Sequence, residues 1–66
     1  MRVIINGEPR QVPAPLSLAE AVALLTSAQA GVAAAVNGDV VRRAAWNSTS
    51  LTDGDEVEVL TAVQGG

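Results

Sequence analysis

The chain opens on an apolar, β-branched run, Arg2-Val3-Ile4-Ile5, stopped at once by Asn6-Gly7. β-Branched residues suit a pleated surface and Asn-Gly closes two-residue hairpins, so a strand and a tight turn are predicted. The return run, Glu8 to Val12, contains Pro9 and meets Pro13. A proline has no N–H to give a ladder, so this second strand is expected to be short and to lie at a sheet edge. The period then changes. From Leu18 the apolar residues fall at Leu18, Ala21, Val22 and Leu25, one face of a helix, with Leu24 expected to widen that stripe. Ser17 and Glu20 have capping-box spacing at its start, and Leu16 is placed to pack back on Ala21. The helix is expected to fray around Thr26 to Ala28, ahead of Gly31.

Val32-Ala33-Ala34-Ala35-Val36 carries two signals. Alanine propensity favours helix. The alternation of Val32, Ala34 and Val36, set between a glycine and a second Asn-Gly pair at Asn37-Gly38, favours a strand, and pattern with punctuation outranks a weak propensity. Val40 to Arg43 reads as a short return strand, Ala44-Ala45-Trp46 as a single helical turn and Asn47 to Ser50 as a polar loop. Asp53-Gly54-Asp55 makes a turn before the last strand, Glu56 to Val63. In that strand Val57 and Val59 are predicted to face the core, with Glu58, Leu60 and Ala62 pointing away. One amphipathic helix after a hairpin, followed by further strands, implies an α+β fold: a small mixed sheet of about five strands with the helix packed across one face. With the first and last strands central, residues 1–63 are expected to form one domain and residues 64–66 a flexible tail leaving the sheet.

Composition narrows what such a domain can do. At 66 residues it is one domain, burying only roughly 60% of its unfolded surface. It has neither Cys nor His, so no disulfide or histidine-based metal site can staple it. Asp53-Gly54-Asp55 lacks the remaining ligand positions of a calcium loop, and no metal site is expected. Trp46, the single aromatic residue, is expected to cover one end of a core of Val, Ile, Leu and Ala. A net charge of −3, with Arg42-Arg43 the one basic pair, disfavours nucleic acid. No stretch approaches the ~20 apolar residues of a membrane span, and no secretory run is present. A cytoplasmic location is the expectation.

Without His, Cys, Tyr or Lys, the usual general bases and activated nucleophiles are missing, so a self-contained enzyme is not expected. Chemistry is left to Asp, Glu, Ser, Thr and the carboxylate of the Gln64-Gly65-Gly66 ending. At average glycine usage a chance Gly-Gly ending has odds near ~0.5%. A diglycine carries no Cβ, so its backbone can enter a slot that rejects any side chain.

Taken with these residues, the element order resembles the β-grasp fold of ubiquitin-like proteins, and within that group the ThiS-type sulfur carriers of thiamine biosynthesis. The resemblance covers the whole chain. It rests on its length, on Ala35-Val36-Asn37-Gly38-Asp39-Val40-Val41-Arg42-Arg43 with Trp46 shortly after, and on Leu51 to Leu60 with its Asp53-Gly54-Asp55 turn, running to Gly65-Gly66. The alanine-rich third strand is leaner than the family's usual pattern. What the resemblance implies is a carrier with no bound cofactor. A ThiF-like adenylyltransferase would use ATP to convert the Gly66 carboxylate to an acyl-adenylate, a sulfur donor enzyme would leave a thiocarboxylate there, and thiazole synthase would take the sulfur. Gly65, Gln64 and Val63 would give the tail its access. A terminal carboxylate titrates near ~3.5 and is an anion and a poor electrophile at neutral pH, which is why activation is needed. The outward face of the sheet, with Leu60, Ala62, Ala33 and Ala35, is the expected partner surface. A carrier for molybdopterin synthesis or another thiolation pathway, and an interaction module with an incidental diglycine, remain as alternatives.

Overall fold

The computed structural model describes residues 1–27 and 30–61. The expected fraying at Ala28, the outward position of Ala62, and the tail residues Val63, Gln64, Gly65 and Gly66 therefore lie outside the described residues. The elements are β1 (Arg2–Ile5), β2 (Glu8–Gln11), α1 (Leu18–Ala23), β3 (Val32–Val36), β4 (Asp39–Val41), a 3-10 turn (Arg43–Ala45) and β5 (Glu56–Thr61). They build a five-stranded mixed sheet in the order β2-β1-β5-β3-β4. β1 pairs antiparallel with β2 and parallel with β5, and β3 pairs antiparallel with both β5 and β4. The strand that ends the chain's described part is thus the middle one.

Both hairpins turn on Asn-Gly with positive φ at each residue: 52° and 83° at Asn6-Gly7, and 51° and 87° at Asn37-Gly38. That is the backbone whose twist matches the flanking strands. β2 lies at an edge, where Pro9 removes a donor no neighbour requires. The Ser17 hydroxyl accepts from the Glu20 N–H at 3.1 Å, and Glu20 Oε1 accepts from the Ser17 N–H at 2.9 Å, which completes the capping box.

The core lies between α1 and one sheet face. Val3, Ile5, Leu18 and Val57 are almost fully buried, each worth about 1.5–3 kcal/mol relative to exposure. Val12, Leu16, Ala21, Val22, Ala34, Leu51 and Val59 complete it together with Trp46, which is 6% exposed. The indole Nε1–H of Trp46 donates to the Val41 carbonyl at 2.8 Å, so the ring is buried with its polar atom satisfied.

Two expectations need correction. Leu24 does not widen the buried stripe; it is 51% exposed. The helix is only six residues long, and Leu24 sits about 120° around its axis from the stripe formed by Leu18, Ala21, Val22 and Leu25. The return strand is Asp39–Val41, not Val40 to Arg43. Its ladder stops at Ala34↔Val41, where the chain turns so that the indole can reach both the core and the Val41 carbonyl; Arg43 then opens the 3-10 turn.

Candidate functional site

The features expected to matter all converge on β5. Residue alternation splits this strand between two tasks: Val57 and Val59 are buried under α1, whereas Glu58 and Leu60 are exposed on the opposite face. Pairing with β3 sets Ala33 beside Leu60 and Ala35 beside Glu58, so the expected patch does assemble on one surface. Ala33 is exposed and Ala35 half-buried. The structure adds Val40, from the outward side of β4, at 81% exposure, and Leu60 is 71% exposed. Ala33, Ala35, Gly38, Val40, Glu58 and Leu60 line a shallow hollow of about 170 Å³. Val40 was open to discovery from sequence, since an inward Val41 makes its neighbour point outward. Small side chains on β3 leave room, and the two large apolar groups rise on either side of them. Glu58 places one carboxylate in an otherwise apolar setting. A larger hollow of about 310 Å³ lies on the helix side beside Thr26, Arg43, Trp46 and Asn47, away from this surface. The Arg43 guanidinium stands 5.2 Å from the Trp46 ring centroid there, a cation–π arrangement.

What fixes β5 in place is less visible in the sequence. The β1 ladder with β5 ends at Ile5↔Val57, yet the grip continues. The Asn6 N–H donates to the Val57 carbonyl at 2.9 Å, and the Asn6 side-chain amide then brackets Val59. Its Oδ1 accepts from the Val59 N–H at 2.8 Å and its Nδ2 donates to the Val59 carbonyl at 3.1 Å. At the other end, Asn37 Oδ1 accepts from the Glu56 N–H at 3.0 Å, and the Asn37 N–H donates to the Glu56 carbonyl at 2.7 Å. Asn37 Nδ2 also reaches Asp55 Oδ1 at 3.1 Å. These two asparagines were read from sequence as turn residues alone; no local signal distinguishes a turn asparagine from one whose amide joins a third strand.

Asp55 closes the approach to β5. Its carboxylate accepts from the Thr52 N–H at 2.8 Å and from the Thr52 hydroxyl at 3.1 Å. The Thr52 backbone bond, with smaller help from the Asn37 amide and the Thr52 hydroxyl, outweighs partial burial and lowers its pKa below the ordinary 3.8. The Asp53-Gly54-Asp55 turn is therefore engaged in holding the chain: Asp53 Oδ1 accepts from the Arg2 N–H at 2.7 Å, and Gly54, at φ 88°, donates its N–H to the Arg2 carbonyl at 2.7 Å. Among the described residues no group of three or more His, Cys, Asp or Glu is placed to hold a metal. Nor is any helix among them long and apolar enough to cross a membrane.

Comparison with known proteins covers this geometry from end to end. Residues 3–66 match the ThiS family. The chain is 30% identical over 66 residues to the sulfur carrier protein ThiS of Escherichia coli strain K12, spanning 100% of both. It is 36% identical over 62 residues to the uncharacterized protein ycf40 of Porphyra purpurea, covering 94% of this chain and 87% of that protein. Among solved structures it is similar to the crystal structure of the thiamine biosynthesis protein ThiS from Geobacter metallireducens, at a TM-score of 0.78 and 38% identity with 100% of each chain covered. The solution structure of the Geobacter metallireducens thiamine biosynthesis protein gives a TM-score of 0.81 at 38% identity, over 100% of this chain and 88% of that one.

Proposed function

This chain belongs to the ThiS family, and from that membership we propose that, as a sulfur carrier of thiamine biosynthesis, it carries its sulfur on the carboxylate of Gly66. It is a carrier and not an enzyme, and its work depends on partner enzymes of thiamine biosynthesis. A partner adenylyltransferase is proposed to join the Gly66 carboxylate oxygen to the α-phosphorus of ATP, with pyrophosphate leaving. The resulting acyl-adenylate is neutral at the acyl carbon and has AMP as its leaving group. A persulfide sulfur on a donor enzyme attacks that carbon and AMP departs with the C–O electron pair. A thiol then cleaves the S–S bond and leaves the thiocarboxylate, whose sulfur goes to thiazole synthase. ATP is consumed by the partner and no cofactor resides on this chain. A cytoplasmic location accompanies this reading.

The observation that supports it is the position of the diglycine in the sequence, inside the family match. Gly65-Gly66 follows the middle strand of the sheet, and the family match extends through residue 66. Gly65, Gln64 and Val63 are proposed as the access segment. The outward surface of Leu60, Val40, Ala33 and Ala35, with Ala62 added from sequence alone, is proposed as the docking face for the adenylating partner, because it is apolar, exposed and continuous with the strand bearing the tail.

Intact mass spectrometry tests this directly. After incubation with a ThiF-like adenylyltransferase, ATP and a persulfide-bearing donor, the chain is expected to gain the mass difference of one sulfur for one oxygen. Deletion of Gly66 is expected to abolish that gain, and Trp46→Phe to leave it in place. Exchange that survives the deletion would overturn the assignment of the carboxylate.

A further inference from the structure

We propose that Asn6 is a positioning residue for the adenylation of Gly66: its side-chain amide acts as a substitute strand residue that fixes the direction in which β5 delivers the tail. The proposal rests on the carrier reading above and goes one step inside it.

The argument begins with the ladder. β1 turns back into β2 at Asn6-Gly7, so past Val57 no strand of this hairpin continues alongside β5. The Asn6 amide supplies the missing donor and acceptor to the same residue, Val59, at 3.1 and 2.8 Å. An amide side chain presents the same N–H and C=O pair as a peptide group, so the sheet is continued by one residue without any chain to continue it. On the other edge, β3 holds β5 as far as Val32↔Thr61. A strand held along a single edge can pivot about that edge. Held at Val59 from the opposite side as well, it has two rails and one direction. β5 runs to Thr61, two residues or about 7 Å of strand beyond Val59. A tilt of about 10° at Val59 therefore shifts the point from which the rest of the chain departs by roughly 1 Å, the tolerance within which a reacting group must be held. Asn6 bears on this despite lying 53 positions from Val59 in sequence and itself being exposed. Its exposure argues against a packing role: truncating it opens no cavity.

Two substitutions test the idea without disturbing the turn. Asn6→Gly removes the amide and still accepts φ near 52°. Asn6→Asp keeps the acceptor for the Val59 N–H and loses the donor to its carbonyl. Amide hydrogen exchange on the free protein is expected to quicken about tenfold at Val59 in Asn6→Gly, and less in Asn6→Asp. With an adenylyltransferase and ATP, kcat for Gly66 adenylation is expected to fall about tenfold in Asn6→Gly with KM within about twofold, because the docking face is untouched. Ser17→Ala, which weakens the helix cap far from β5, serves as the stability control and is expected to keep the wild-type kcat. A wild-type kcat in Asn6→Gly, or an equal loss of kcat in Ser17→Ala, overturns the positioning role. Failure of the wild-type chain to be adenylated at all sinks the carrier reading instead, so the two failures are distinguishable.

Discussion

Asn6-Gly7 and Asn37-Gly38 are the same dipeptide in the same conformation, with φ values that agree within a few degrees. Both end a strand that flanks β5, and both place an asparagine amide on its backbone. They nevertheless serve opposite ends of it. β1 runs parallel to β5, so its turn lies alongside the downstream part and reaches Val59. β3 runs antiparallel, so its turn lies beside the beginning and reaches Glu56 and Asp55. The direction of the neighbouring strand, not the turn's own chemistry, decides which end is gripped. One asparagine grips β5 at its first residue and the other grips it at Val59, three residues on.

The glycines offer the sharpest way to break this comparison. An added Cβ at Gly7 or at Gly38 would meet nothing within 4 Å, so any penalty is purely one of backbone conformation. Gly7→Ala and Gly38→Ala are each expected to cost about 1–2 kcal/mol by denaturant unfolding, and to cost the same within error. A marked inequality would mean that the two turns differ before their asparagines are considered.

Asn37→Gly comes next. It spares the turn and removes the bonds to the Glu56 N–H and to Asp55, at an expected cost of about 1 kcal/mol. Unlike Asn6→Gly, it is expected to leave kcat for Gly66 adenylation unchanged. Comparable kinetics in the two variants would erase the distinction between the two grips.

The smallest effect concerns pH. Asp55 has a folded pKa lowered from 3.8, so it stabilises the fold fully above the unfolded value. That contribution is lost as the pH falls through the folded pKa, because protonation then costs the bonds from Thr52 and Asn37. Asp55→Asn is expected to be less stable than wild type at neutral pH and to converge with it as the pH falls through the lowered folded pKa of Asp55. Chemical denaturation across that range checks the trend, and a gap that widened on acidification would reverse the sign assigned to Asp55.

Much of the architecture was legible in the chain because its signals are local. Ser17 and Glu20 announce a helix start whatever surrounds them, and Asn-Gly announces a turn. The alternation of Val32, Ala34 and Val36 proved a better guide than alanine propensity, since Ala34 is buried and its neighbours pair with β5. Leu24 misled because an apolar residue beside a periodic stripe was counted into it, although helix geometry turns it away from that face and leaves it exposed. The early end of β4 was hidden because it depends on the Trp46 indole claiming the Val41 carbonyl, a contact set by the packed core. The asparagine brackets were hidden for a related reason: Asn6 and Val59 meet only once the parallel pairing exists. Of the candidate site, Ala33, Ala35 and Leu60 came together as alternation predicted, Val40 joined them, and Ala62 to Gly66 lie outside the described residues.

The alternation along β5 has an evolutionary consequence. Val57 and Val59 answer to the core, whereas Glu58 and Leu60 answer only to what approaches from outside. Two selective pressures are thereby written on interleaved positions of one short segment and seldom compete for the same residue. A lineage can rewrite its choice of associate at the even positions and keep its folding intact at the odd ones, so recognition can drift or specialise while the scaffold stays constant.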